Sequence, residues 1–173
     1  IGRGVDKVDM EKLGADIGYT IDGESLGQIE NETFSADSVI INIQGFNIHP
    51  GFAKDKMENA IKIASEIIES LPKDSMSPET TSGKEGFIHP ISVRAGNDTA
   101  TLKFIIRSFS EVELKKQEDY LKNLTEKVIS KYRRSSYEFK VEESYRNMKE
   151  MVDKDPRIIE YAIESVKRAG ISP

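Results

Sequence analysis

The hydrophobic period changes within residues 39–71, and no other feature constrains the fold as strongly. Val39, Ile41 and Ile43 alternate with Asn42 and Gln44. That is the period of a strand with one buried face. Gly45 ends the run, and Asn47, Pro50 and Gly51 punctuate a turn. Met57, Ala60, Ile61, Ala64, Ile67, Ile68 and Leu71 then recur at three- and four-residue spacing, which predicts a helix with those residues on its apolar face. His49, one of two histidines, stands at the corner between strand and helix. A polar side chain held there can reach a ligand. A turn histidine that merely precedes a proline is the plain alternative.

The same alternation of periods continues downstream. Residues 72–86 are a long loop rich in Pro, Ser, Thr and Gly. Residues 87–94 read as a second strand with Phe87, His89, Ile91 and Val93 on one side. Pro90 inside it implies an edge strand or a bulge. Gly96-Asn97-Asp98 is a hairpin turn. Residues 100–109 form a third strand, with Leu102, Phe104 and Ile106 on one face and Arg107 on the other. Residues 111–132 carry a second helical stripe of Leu114, Leu121, Leu124, Val128 and Tyr132. Residues 137–143 alternate as a fourth strand. The order βαββαβ is the split, ferredoxin-like pattern. It predicts an α+β sandwich in which a four-stranded antiparallel sheet carries both helices on one face.

The flanks read differently. Residues 6–14 suggest a short helix stopped by Gly14. Residues 15–21 are mostly apolar, consistent with a buried strand of a parallel sheet. Asp22 would then lie at the carboxyl end of that strand, where α/β proteins place ligand-binding groups; a simple Asp-Gly turn is the alternative. A weak strand signal surrounds residues 26–29. In the tail, Asp155-Pro156 opens a helix whose apolar face is Ile158, Ile159, Ala162, Ile163 and Val166, ended by Gly170. The expected division is a compact unit at 37–143, inserted into another domain represented by 1–36 and 144–173.

Composition excludes several classes. A net charge of −5 disfavours a nucleic-acid partner, because phosphate binding needs a concentrated basic face. Arg133 and Arg134 are an isolated pair suited to a helix end. An RNA-binding module of this topology would need aromatic residues on its strands and positive charge. No apolar run is long enough for a membrane span, and no signal peptide is visible. The absence of cysteine fits a reducing compartment, and the cytoplasm is the expected location.

Little chemistry is written locally. There is no GxSxG, P-loop or HExxH motif. His89 sits among apolar neighbours and suits a packed position. Arg107 is more informative: a guanidinium on the sheet face opposite the helices can clamp a carboxylate bidentately. A surface arginine in a salt bridge is the alternative.

Five segments, GADIGYTIDG, NIHPGFAKDKMENA, SPETTSGKEGF, FIIRSF and EESYRNM, appear in an order and spacing that closely resemble the peptidase T family. These are aminotripeptidases of the di-zinc aminopeptidase and carboxypeptidase superfamily. The resemblance runs over essentially the whole chain. It implies a zinc-binding α/β catalytic domain with an inserted βαββαβ lid that also forms a homodimer. It implies that Asp22, in the segment matching TxDG, is a zinc ligand. It implies that His49, in the matching HPG turn, reaches the partner subunit's active site and helps hold the scissile carbonyl. It implies that Arg107, in the matching IIR strand, binds the carboxylate of a tripeptide substrate.

The family's HxD motif, bridging aspartate and paired glutamates precede a GxG-like segment matched here by IGRG, and its last metal-binding histidine follows a later glycine-rich stretch. Asp22 is the only matched metal ligand. The expectation is therefore a central fragment of such an enzyme, itself inactive and without a tight zinc site; the complete enzyme would hold two zinc ions per subunit. The rival expectation is a non-catalytic ferredoxin-like module for dimerisation or ligand sensing.

Overall fold

The computed structural model describes residues 7–23 and 25–173. The IGRG segment, Asp6 of the expected first helix, and Glu24 lie outside the described residues. Contacts divide the chain into two units, Glu32–Met148 and Ile1–Asn31 with Lys149–Pro173.

The larger unit is the βαββαβ sandwich. Its elements are β1 (Ser35–Gln44), α2 (Ala60–Glu69), β2 (Phe87–Ala95), β3 (Thr99–Ser108), α3 (Glu111–Ile129) and β4 (Ser136–Tyr145); the smaller unit's α1 (Met10–Leu13) precedes them in the chain. The strands form one antiparallel sheet in the order β2-β3-β1-β4. Both helices pack on one face. The core there joins Val39, Ile41, Ile43, Leu102, Phe104 and Ile106 of the sheet to Ile63, Ile67, Leu114 and Leu121 of the helices. Burial along β1 alternates as its apolar pattern requires.

The helices start where side chains can satisfy free amides. Asn59 caps α2 by accepting from the Ile61 amide at 2.9 Å, and Ser110 caps α3 by accepting from the Glu113 amide. The apolar face of α2 differs from the expected one. Ala60, Ile63, Ala64 and Ile67 are buried, whereas Ile61 is 44% exposed. A helix starting at Ala60 turns its i, i+3, i+4, i+7 stripe onto Ile63, a position the apolar spacing from Met57 passes over.

Pro90 does two things on β2. The strand lies at the sheet edge, and its register with β3 shifts between Pro90 and Ser92. That bulge splits the face expected for Phe87, His89, Ile91 and Val93. Phe87 and His89 pair with Arg107 and Ile105 on the open face, Ile91 falls in the bulge, and Val93 pairs with core-facing Leu102. Ile88 is the core residue of this strand.

The smaller unit contains α1, α4 (Lys149–Val152) and α5 (Arg157–Arg168). Helix α1 is capped by Asp9 and stopped by Gly14 at φ +62°. Residues 15–21 form no strand; Ile21 is 99% exposed and Tyr19 half exposed. No strand among the described residues pairs with them, and an apolar run becomes a buried parallel strand only between neighbours with both faces covered. Residues 26–29 form a turn rather than a strand. There Gly27 is at φ +87°, and a Cβ would meet the Ser172 carbonyl oxygen at 2.3 Å. The Tyr19 hydroxyl donates to the Ile158 carbonyl at 2.7 Å. The five apolar residues expected on α5 are its half-buried ones. No described helix is long and apolar enough to cross a membrane.

Candidate functional residues at the two ends of the sheet

Arg107 projects from β3 on the face opposite the helices. It lies between Ala36 of β1 and Phe87 of β2, which are its direct cross-strand neighbours. Its guanidinium carbon is 6.0 Å from the centre of the Phe87 ring, within cation–π reach. Phe34 meets Phe87 edge-on at 5.7 Å and Phe109 at 4.2 Å, so three rings form one group beside the arginine. The Arg107 Nε is buried and has no hydrogen-bond partner among the described residues. A planar cation so placed has its forked donors available to a carboxylate.

His49 is held at the other end of the sheet. β1 ends at Gln44, and the next two residues are pinned. The Gly45 amide donates to Asp98 in the hairpin at 2.7 Å, while Phe46 and Glu58 exchange two backbone hydrogen bonds at 2.8 Å. Residues 47–57 form a loop closed by that bridge. The Glu58 carboxylate is fixed in turn by the Arg134 amide at 3.0 Å and the Ser135 hydroxyl at 2.7 Å, and the Arg134 guanidinium lies 4.8 Å over the Phe46 ring. Within the loop, His49 precedes a short 3-10 turn, Pro50–Phe52. Its Nδ1 accepts from the Gly51 amide at 3.2 Å, and its ring is 5.6 Å from that of Phe52. His49 is exposed, and Phe52 is 70% exposed. With Nδ1 occupied as an acceptor, neutral His49 carries its proton on Nε2, which points a donor away from the turn.

Asp22 belongs to the smaller unit and is exposed. Among the described residues, no group of three or more His, Cys, Asp or Glu side chains could hold a metal ion. The described donor set therefore does not fit a catalytic zinc centre, which takes three protein ligands in fixed geometry.

Sequence reasoning missed a buried charged cluster beneath α3. Asp37 is 3% exposed and pairs with Arg146, whose Nη1 donates to Oδ1 at 2.7 Å. Glu118 of α3 is 6% exposed and meets Lys115 at 3.0 Å. They line a cavity of about 310 Å³ with Glu111, Leu114, Val141 and Glu143. Burial tends to raise the Asp37 pKa, but hydrogen bonds from Arg146 and Glu118 outweigh it and hold Asp37 below the usual range. Burial, and then the hydrogen bond to Asp37, pushes Glu118 above its ordinary value. The available signal was Asp37 itself, an acid at an inward-facing position of a half-buried strand. The same cluster fastens the two chain ends of the unit. The Asn147 amide donates to the Ser35 hydroxyl at 2.9 Å, and the Met148 amide to the Thr33 hydroxyl at 3.2 Å.

Comparison with known proteins gives the chain's family. Residues 31–133 match the family model of the peptidase dimerisation domain. The whole chain is 39% identical over 173 residues to peptidase T of Clostridium botulinum (strain Okra), and it spans 42% of that protein's length. Among solved structures, a tripeptidase from Staphylococcus aureus superposes with a TM-score of 0.77 at 22% identity, over 98% of this chain and 44% of that one. The aminopeptidase PepT from Bacillus cereus superposes with a TM-score of 0.75 at 23% identity, over 98% of this chain and 45% of that one. The structural matches speak to the fold alone.

Proposed function

The chain belongs to the peptidase dimerisation domain family, and from that membership we propose that it is the lid and dimer-forming part of a metal-dependent aminopeptidase that removes the N-terminal residue from tripeptides. The unit Glu32–Met148, a few residues wider at each end than the expected 37–143, is the lid in this reading, and the residues on either side are segments of the catalytic domain. The partner is a second copy of the same chain, and the compartment is the cytoplasm.

The observation that carries the reading is Arg107. It is a guanidinium on an open sheet face, beside an aromatic ring, whose buried Nε has no hydrogen-bond partner among the described residues. Reading a free C-terminal carboxylate is the chemistry that such a group suits, and it limits substrate length. His49 supplies the second function. Its Nε2 proton is a fixed donor for the oxygen that gains charge when the peptide carbonyl is attacked. Asp22 contributes one ligand of the metal centre. Zinc would supply Lewis acidity to the complete enzyme. In this reading the peptidase activity belongs to the complete enzyme.

The test is made in the complete peptidase. Arg107→Ala should raise KM for free tripeptides and leave C-terminally amidated tripeptides little changed. Equal losses for both substrate classes would overturn the assignment. Light scattering distinguishes the rival, non-catalytic module only together with zinc analysis of the complete protein. A dimer that retains no zinc and hydrolyses no tripeptide would favour that module.

A further inference from the structure

Resting on the reading of Arg107 given above, we infer that Phe87 and Phe34 are positioning residues that set the Arg107 guanidinium before substrate arrives. Phe87 is the direct neighbour of Arg107 across the β2–β3 pair, and the register brings both side chains to the same face. Phe34 is wedged between Phe87 and Phe109, so the Phe87 ring is itself supported.

The backbone is fixed as closely as the side chain. A Cβ on Gly86 would lie 2.7 Å from the Arg107 carbonyl oxygen and 2.7 Å from the Gln117 Nε2. Only glycine lets β2 enter so close to Arg107, and Gln117, itself buried, presses on that point from the helix layer. A second cation touches these rings: Lys84 lies 5.7 Å from the Phe109 centroid, but it is paired with Glu32. Arg107 has no such ion pair among the described residues.

An arginine normally loses freedom about several side-chain bonds when it grips a carboxylate. Here that loss is already taken in the fold. The buried, partnerless Nε is its sign: the guanidinium stays in a pose that seals one donor from water, with no acceptor to reward it.

The experiment follows the Arg107 Nε proton by NMR in the isotopically labelled chain. Sealed from water, it should exchange about tenfold more slowly than exposed arginine Nε protons. Phe87→Leu should abolish that protection while the backbone amide spectrum of the sheet is retained, Phe34→Leu should weaken it, and Phe87→Tyr should keep it. In the complete peptidase, Phe87→Leu should raise KM for free tripeptides with kcat little changed, and Phe87→Tyr should restore it. Unchanged protection in Phe87→Leu overturns the inference. If Phe87→Leu releases the proton but Arg107→Ala leaves KM unaltered, the positioning stands and the carboxylate-reading role fails.

Discussion

His49 and Arg107 stand at opposite ends of one sheet. Arg107 pairs with Ala36 near the start of β1, and the loop carrying His49 leaves β1 after Gln44. The strand between Ala36 and Gln44 covers about 27 Å at 3.4 Å per residue. A fully extended tripeptide spans only ~10 Å. That span favours contact with one tripeptide from two chains, His49 from one and Arg107 from the other, so that the dimer completes the site.

The loop that presents His49 depends on Gly45. A Cβ there would lie 2.6 Å from the Glu58 carbonyl oxygen and 2.9 Å from the Ala60 amide. Gly45→Ala should break the Phe46–Glu58 bridge and destabilise the unit by about 1–3 kcal/mol, the usual cost of overpacking. Denaturant unfolding measures the loss, and the His49 ring signals in NMR should broaden or shift. Unchanged stability would show that the bridge tolerates a side chain.

The buried acids make stability depend on pH in a defined direction. The pKa of Glu118 is raised in the folded chain, so its contribution is fully present below the unfolded glutamate value of about 4.3. That contribution is lost as pH rises through the higher folded value. Asp37 is lowered, so its contribution holds above the unfolded aspartate value of about 3.9 and is lost as pH falls through the folded one. The groups facing this pair are Arg146, Lys115, Glu111 and Glu143. Glu118→Gln keeps a donor for Asp37 without a titrating proton. It should flatten the fall in the denaturant midpoint on the alkaline side. Identical pH profiles for the two proteins would contradict the raised Glu118 pKa in the folded chain.

Much of the larger unit was legible in the sequence because β1, β3, α2 and α3 each bury one face against the others, and that leaves a period. Leu102, Phe104 and Ile106 announce their face, and Arg107 announces the other. The β2 face was not legible, since the Pro90 bulge changes which residues pair, and a bulge leaves no period. Residues 15–21 misled for the opposite reason. Their apolar run is a real signal for burial, but it needs neighbouring strands that the described residues do not contain. The Phe34, Phe87 and Phe109 group was hidden as well. Its members lie far apart in sequence, and only the cross-strand register unites them around Arg107.

The cross-subunit assignment predicts what mixed dimers do. Alone, His49→Ala in the complete peptidase should lower turnover about 10²- to 10³-fold, the cost of one oxyanion donor. Arg107→Ala should lower kcat/KM for free tripeptides. In a dimer of one His49→Ala chain with one Arg107→Ala chain, one of the two sites would receive an intact Arg107 from its own chain and an intact His49 from the partner. Measured at low substrate, that mixed dimer should recover about half of the unaltered kcat/KM. Activity no higher than the average of the two parent variants would contradict the account.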